Sequence, residues 1–220
     1  MKNKEFLYRI GLYAFSIVLL TAASGMVPKA KFVSLFNGKD LDGWVGNKVD
    51  YQVEDGLLVI RPDKGGNGNL YTEEEYADFH LKFEFLLSPG ANNGLGIRTP
   101  LKGDAAYVGM ELQILDNSSS MYADLKEYQY HGSVYGIIPA KRGFQKNVGE
   151  WNQQEVIAKG DDIKVILNGK VILEGNIRKA TKNGMPDGKD HPGLFNKSGH
   201  IGFLGHGSMV KFKNIEIRKL

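Results

Sequence analysis

The 220-residue sequence predicts an all-β domain built as a two-sheet jelly-roll sandwich. Apolar and polar residues alternate with period two in one stretch after another. No long stripe of helical period interrupts them, and turns rich in Gly, of which the chain has 28, separate them at short intervals. Roughly ten to twelve short strands follow from this punctuation, which suits two packed layers better than one open sheet.

Taken in order, "YQVEDGLLVI" (51–60) reads as two strands about an Asp55-Gly56 hairpin turn. "FHLKFEFLL" (79–87) places Phe79, Leu81, Phe83, Phe85 and Leu87 on one face, and His80, Lys82 and Glu84 on a wetted one. "NNGLGIRTP" (92–100) opens on an Asn92-Asn93 turn and runs as a Gly-broken strand to Arg98. "YVGMELQILDN" (107–117) alternates Met110, Leu112 and Ile114 with Glu111 and Gln113, and Asp116 follows. "GEWNQQEV" (149–156) begins a buried strand with Trp151 as a packing residue, and "IKVILNGKVILEG" (163–175) is a hairpin turning at Asn168-Gly169. The last strand directs Val210, Phe212, Ile215 and Ile217 inward; its change of phase predicts a bulge near Asn214. Residues 116–132 and 175–199 follow no such pattern, and long irregular loops in compact domains are often functional.

The first residues stand apart from this pattern. Lys2, Lys4 and Arg9 precede the apolar run "IGLYAFSIVLL", and the small residues "TAASG" come next. That order describes a secretory signal, about residues 1–23, with a single domain at 31–220. The run is shorter than the roughly 20 residues a membrane-spanning helix needs, so no stable span is expected after cleavage and the mature protein is expected to be periplasmic or on the cell surface. With no Cys in the chain, a lipid anchor on cysteine is excluded. The net charge is +3, and removing residues 1–23 leaves +1, which gives no electrostatic case for nucleic acid as a partner.

Several side chains can carry chemistry. Glu111 and Gln113 share the polar face of their strand, which either meets solvent or floors a site; the Tyr-, Ser- and Asp-rich loop after it favours a site. Glu111 and Asp116 have a spacing compatible with a carboxylate pair for retaining glycoside hydrolysis. His131 lies among Tyr128, Tyr130 and Tyr135, and aromatic rings with an imidazole suit sugar binding and proton transfer. His206 is hemmed by Gly205 and Gly207, which leaves room for close approach. Arg98, beside Pro100, is a further candidate for holding sugar hydroxyls or a keto oxygen, while turn chemistry accounts for Asn92 and Asn93 without a ligand. No HxH or HExxH motif marks a metal site, and ligands gathered from separate strands remain open. Nucleophile elbows, phosphate loops and dinucleotide fingerprints are absent from the sequence.

Six fragments in one order resemble the 3-keto-disaccharide hydrolase domain family: "FVSLFNGKDLDGW", "YADFHLKFEFLLSPGANNGLGIR", "GMELQILD", "GSVYGIIPA", "GEWNQQEVIAKGDDIKVILNG" and "GHIGFLGHGSMVKFKNIEI". The resemblance covers residues 31–220 and implies a concanavalin A-like lectin/glucanase jelly roll. It implies an exported enzyme that takes the C2 proton of a 3-keto-glycoside, eliminates the C1 substituent and hydrates the product, a net hydrolysis with a small carbohydrate as its partner. On that basis Glu111 and His131 are the expected acid–base pair. Arg98 and Gln113 hold the keto and hydroxyl oxygens, and Asp116, Lys141, His206 and Asn93 support them. No cofactor is required by this scheme, though a divalent cation on the enolate oxygens would serve as Arg98 does. A conventional retaining glycosidase using Glu111 and Asp116, and a non-catalytic carbohydrate-binding module, are the alternative readings of the same residues.

Overall fold

The structure, a computed structural model, describes residues 31–66 and 68–220, so the expected signal at 1–23 lies outside the described residues. In chain order the strands are β1 (Val33–Ser34), β2 (Trp44–Gly46), β3 (Tyr51–Glu54), β4 (Leu57–Ile60), β5 (Leu70–Tyr76), β6 (Phe79–Leu87), β7 (Asn92–Thr99), β8 (Met110–Leu115), β9 (Asn152–Lys159), β10 (Asp162–Leu167), β11 (Lys170–Asn176), β12 (Gly199–Gly205) and β13 (Val210–Lys219). Two one-turn helices, α1 (Ala105–Val108) and α2 (Ile177–Ala180), interrupt them. All named strand pairs are antiparallel. The eight-stranded sheet runs β11-β10-β9-β6-β13-β4-β3, with β1 beside β13, and the five-stranded sheet runs β2-β5-β12-β7-β8. This is the jelly-roll sandwich that the alternation predicts.

Each local expectation has a visible cause. Asp55 and Gly56, and likewise Asn168 and Gly169, hold φ between 49° and 79°, the paired left-handed turn that twists with the strands it joins. Asn214 has φ 51°, and the β13–β6 register shifts between Lys213 and Glu216, so the phase change in the sequence is a bulge. The alternate apolar residues of β6 are buried, and they meet the other sheet through aromatic contacts. Phe203 stacks on Phe212 with centroids 4.0 Å apart and lies 5.8 Å from both Trp44 and Phe83. Burial of such large side chains stabilises by about 1.5–3 kcal/mol each. Trp151, expected inside, lies instead just before β9 and half-buried, with the Lys213 ammonium 4.1 Å above its ring. His80 is more covered than a wetted face suggests, because Phe32 packs on it and Glu155 bonds its Nε2 at 2.6 Å.

Among the described residues, no helix is long and apolar enough to cross a membrane.

Candidate active site

The site lies on the outer face of the five-stranded sheet, and the strand register dictates what shares that face. Gly96 sits opposite Glu111 and Gly94 opposite Gln113. Gly202 and Leu204 of β12 fall on the same side, opposite Gly96 and Gly94, followed by Tyr71 of β5 and Val45 of β2. Met110, Leu112 and Ile114 point the other way, into the core. The polar side of β8 therefore faces out over a strand whose own outward residues at 94 and 96 have no side chains.

That absence is what seats Glu111. A Cβ on Gly94 would lie 1.9 Å from Glu111 Oε1 and 2.7 Å from its Cδ. The carboxylate thus lies flat on the neighbouring strand instead of extending into solvent, and Glu111 is 5% exposed. Gln113 beside it donates from Nε2 to Asn92 Oδ1 at 2.9 Å, which leaves the Asn92 amide nitrogen and the second Gln113 N–H for a ligand.

β8 is the edge strand, and its free edge is closed by residues 132–135. Gly132 N–H donates to the Gln113 carbonyl at 2.8 Å, Gln113 N–H to Ser133 O at 3.0 Å, and Tyr135 N–H to Glu111 O at 2.9 Å. This pairing carries Tyr135 to the rim. On the other side Asp104 caps α1, accepting from the Ala106 N–H at 3.1 Å, and α1 presents Tyr107. The Tyr107 hydroxyl oxygen accepts from Lys189 Nζ at 2.7 Å, and its ring packs on His191. His191 in turn bonds the Asp187 carboxylate at 3.0 Å and faces the Ala106 carbonyl. Residues 187–191, within the segment between α2 and β12, are therefore the wall behind Tyr107.

His206, just beyond β12, completes a cavity of about 190 Å³ that Glu111, Gln113, Asn92, Tyr107 and Tyr135 also line. Its Nε2 stands 3.7 Å from Glu111 Oε1, an ion-pair contact too long for a hydrogen bond. The Glu111 carboxylate raises the His206 pKa above the ordinary histidine value, Asp104 adds to this, and partial burial opposes it. Glu111 Oε1 itself is buried and has no hydrogen-bond partner among the described residues. Such an oxygen is costly unless a ligand uses it.

The other expected site residues are placed elsewhere. His131 is in the core, 1% exposed, against Phe85 with ring centroids 5.0 Å apart; its Nδ1 accepts from the Leu115 N–H at 3.4 Å. It is absent from the cavity lining, which removes it from the acid–base pair. Arg98 is committed to the opposite end of β7, donating to the Ala77 and Gly160 carbonyls and to Asp78 Oδ1 at 2.7–3.0 Å, so it holds loops together and no sugar oxygen. Asn93 faces inward, opposite Ile114, and its neighbour Asn92 takes the place expected for it. Asp116 organises a turn, accepting from Gly90 N–H, Ser118 N–H and the Ser118 hydroxyl. Burial opposes ionisation of Asp116, yet those donors prevail and hold its pKa below the ordinary range. It does not line the cavity with Glu111, and neither does the exposed Lys141. Asn92, Asp104, Ala106 and Tyr107 line the cavity without any sequence signal for it, and Tyr135, expected beside His131, lines it without that histidine.

Among the described residues, no three His, Cys, Asp or Glu side chains converge as a metal set. Glu111 and His206 offer two donors, so a divalent cation between them would draw the rest of its shell from substrate oxygens.

His131 has a consequence for stability rather than catalysis. Burial pushes its pKa down to about 4 from 6.5, with Gln154 opposing the shift. As pH falls below 6.5 the unfolded chain binds this proton first, so stability declines at about 1.4 kcal/mol per pH unit until the folded form protonates near pH 4, a loss of about 3 kcal/mol. Urea unfolding at pH 7.5 and 4.5 measures it. The expected result is a drop in wild type that shrinks by that amount in His131→Asn; equal drops in both proteins would refute it.

The model of the family described as 3-keto-alpha-glucoside-1,2-lyase-like domain matches residues 31–218. A 3-keto-disaccharide hydrolase of Bacteroides thetaiotaomicron is 25% identical, over 86% of this chain and 78% of the relative. Among solved structures, a protein of Parabacteroides distasonis assigned to the glycosyl hydrolases is 31% identical with a TM-score of 0.75, covering 86% of this chain and all of that one. A second from the same organism is 26% identical, with a TM-score of 0.73 over 86% and 94% of the two chains.

Proposed function

Because the chain belongs to the 3-keto-alpha-glucoside-1,2-lyase-like domain family, we propose that it is a carbohydrate-active enzyme cleaving 3-keto-glycosides in the Glu111 cavity. The observation that carries this reading is the buried, unpartnered Glu111 Oε1 facing His206. A carboxylate without internal partners suits a base whose proton comes from a bound molecule, and an imidazole held towards its charged form suits an acid.

Glu111 takes the C2 proton, which the C3 carbonyl has acidified, and the electron pair of that bond passes to the C3 oxygen as an enolate. Amide N–H groups of Asn92 and Gln113 stabilise the developing charge. The pair then returns to form C1=C2, the C1–O bond breaks, and His206 gives its proton to the departing oxygen. Water adds across C1=C2, its hydroxyl to C1 and a proton from Glu111 to C2, while His206 takes the water's other proton. Both groups end as they began, and the net change is hydrolysis of the glycosidic bond. The Glu111–Asp116 glycosidase finds less support, since Asp116 is spent on a turn. The leader-like residues 1–23 support an exported address for this chemistry.

The test is a paired assay of a 3-keto-glucoside and its unoxidised parent, with and without chelator, following the released alcohol. Turnover of the keto sugar alone is expected. Turnover of the parent would replace elimination with ordinary hydrolysis, and binding of the keto sugar without turnover would reduce the domain to a sugar-binding module. Loss of activity on chelation would add a cation to the enolate site.

A further inference from the structure

Tyr107 is held more firmly than a residue at the rim of a cavity needs. Residues 187–196 are built onto α1 and the turn that follows it. Gly193 N–H donates to the Tyr107 carbonyl at 2.8 Å, and Asn196 Nδ2 donates to the Val108 carbonyl at 2.9 Å. The segment lies so close that a Cβ on Gly193 would stand 1.8 Å from the Val108 oxygen. Asp187 and His191, paired and almost wholly buried, stiffen it from within. What this framework brings to the cavity is one hydroxyl with a charge behind it. Lys189, exposed and outside the cavity lining, donates from Nζ to Tyr107 Oη at 2.7 Å.

The direction of that bond decides what the hydroxyl can do. An ammonium has protons only to give, so Tyr107 Oη accepts, and its own proton has no acceptor among the described residues. Tyr135 across the cavity is arranged alike, its Oη accepting from Gln129 Nε2 at 3.2 Å, but that donor is a neutral amide. Of the two rim hydroxyls, Tyr107 is therefore the stronger donor.

We infer that Tyr107 is a catalytic residue that donates a hydrogen bond to the C3 oxygen as the enolate forms, and that Lys189 is a positioning residue that polarises it from behind. The inference rests on the function proposed above and adds two residues to its mechanism. The C2 proton goes to Glu111, the electron pair of that bond goes to the C3 oxygen, and Tyr107 keeps its proton throughout. Its bond strengthens as the oxygen gains charge, so it lowers the barrier more than it tightens binding. A cation behind the donor counts most where negative charge builds. The departing oxygen receives a proton from His206 and never carries that charge in full, which is why the C3 oxygen is the partner assigned to Tyr107.

Two probes separate the steps. Methyl 3-keto-glucoside reports the whole reaction. An analogue with hydrogen in place of its C1 methoxy group has nothing to eliminate, so in D₂O it reports only exchange of the C2 proton, followed by NMR. Tyr107→Phe keeps the ring against His191 and is expected to slow both processes by about 10²–10³-fold with little change in KM. Lys189→Met, at an exposed position, is expected to slow both by about tenfold. Because Lys189 acts through the hydroxyl, the double variant should be no slower than Tyr107→Phe alone. Exchange that survives Tyr107→Phe while turnover falls would move the hydroxyl to the departing oxygen and overturn the inference. Unchanged rates, a loss confined to KM, or multiplying losses in the double variant would overturn it too. A wild type that neither exchanges nor turns over would instead overturn the function itself, and this inference with it.

Discussion

Glu111→Gln is expected to lower kcat on a 3-keto-glucoside by about 10²–10⁴-fold, the range that a positioned general base supplies, with a much smaller change in KM. The replacement keeps the shape of a side chain only 5% exposed and removes a buried carboxylate oxygen that has no partner, so the fold is expected to hold or gain stability. A second readout distinguishes loss of the base from distortion of the cavity. Because the Glu111 carboxylate is what raises the His206 pKa, the variant must titrate His206 at lower pH than wild type, visible by NMR of the imidazole protons. An unchanged rate would remove Glu111 from the chemistry, and an unchanged His206 titration would remove the charge coupling from which the acid–base pair is argued.

The fold was readable because its signals are local. Hairpins at Asp55-Gly56 and Asn168-Gly169, the apolar face of β6 and the bulge at Asn214 each follow from two to nine adjacent residues. The floor of the site was readable for the same reason, since Glu111 and Gln113 lie on one face of one strand. The rest depends on partners distant in sequence. His131 follows two tyrosines within a loop that looked like a sugar platform, but residues 132–135 pair with the edge of β8, which turns the His131 ring onto Phe85 in the core. Arg98 holds loops and no sugar, and no sequence pattern announces that Gly160 and Ala77 offer their carbonyls to it. Asn93 and Asn92 differ by one residue, and on a strand one residue is the difference between the core and the site. Tyr107 needs Lys189 and His191 from a loop more than eighty residues away.

Gly94→Ala tests whether the geometry of that face, rather than its mere composition, makes the site. The backbone at Gly94 is ordinary strand without positive φ, so alanine fits the main chain and the sheet is expected to survive. The methyl group, however, would lie 1.9 Å from Glu111 Oε1, where no atom can stay. The carboxylate must move, and displacement of a catalytic group by about 1 Å costs on the order of 10²-fold in rate. Gly94→Ala should therefore lose about that much kcat/KM while remaining folded. If the loss runs through Glu111, it cannot be repeated once the base is gone: Gly94→Ala combined with Glu111→Gln should be no slower than Glu111→Gln alone. Independent, multiplying losses would show that Gly94 matters for some other reason, and full activity of the single variant would mean that the carboxylate works from a different position than the one it holds over Gly94.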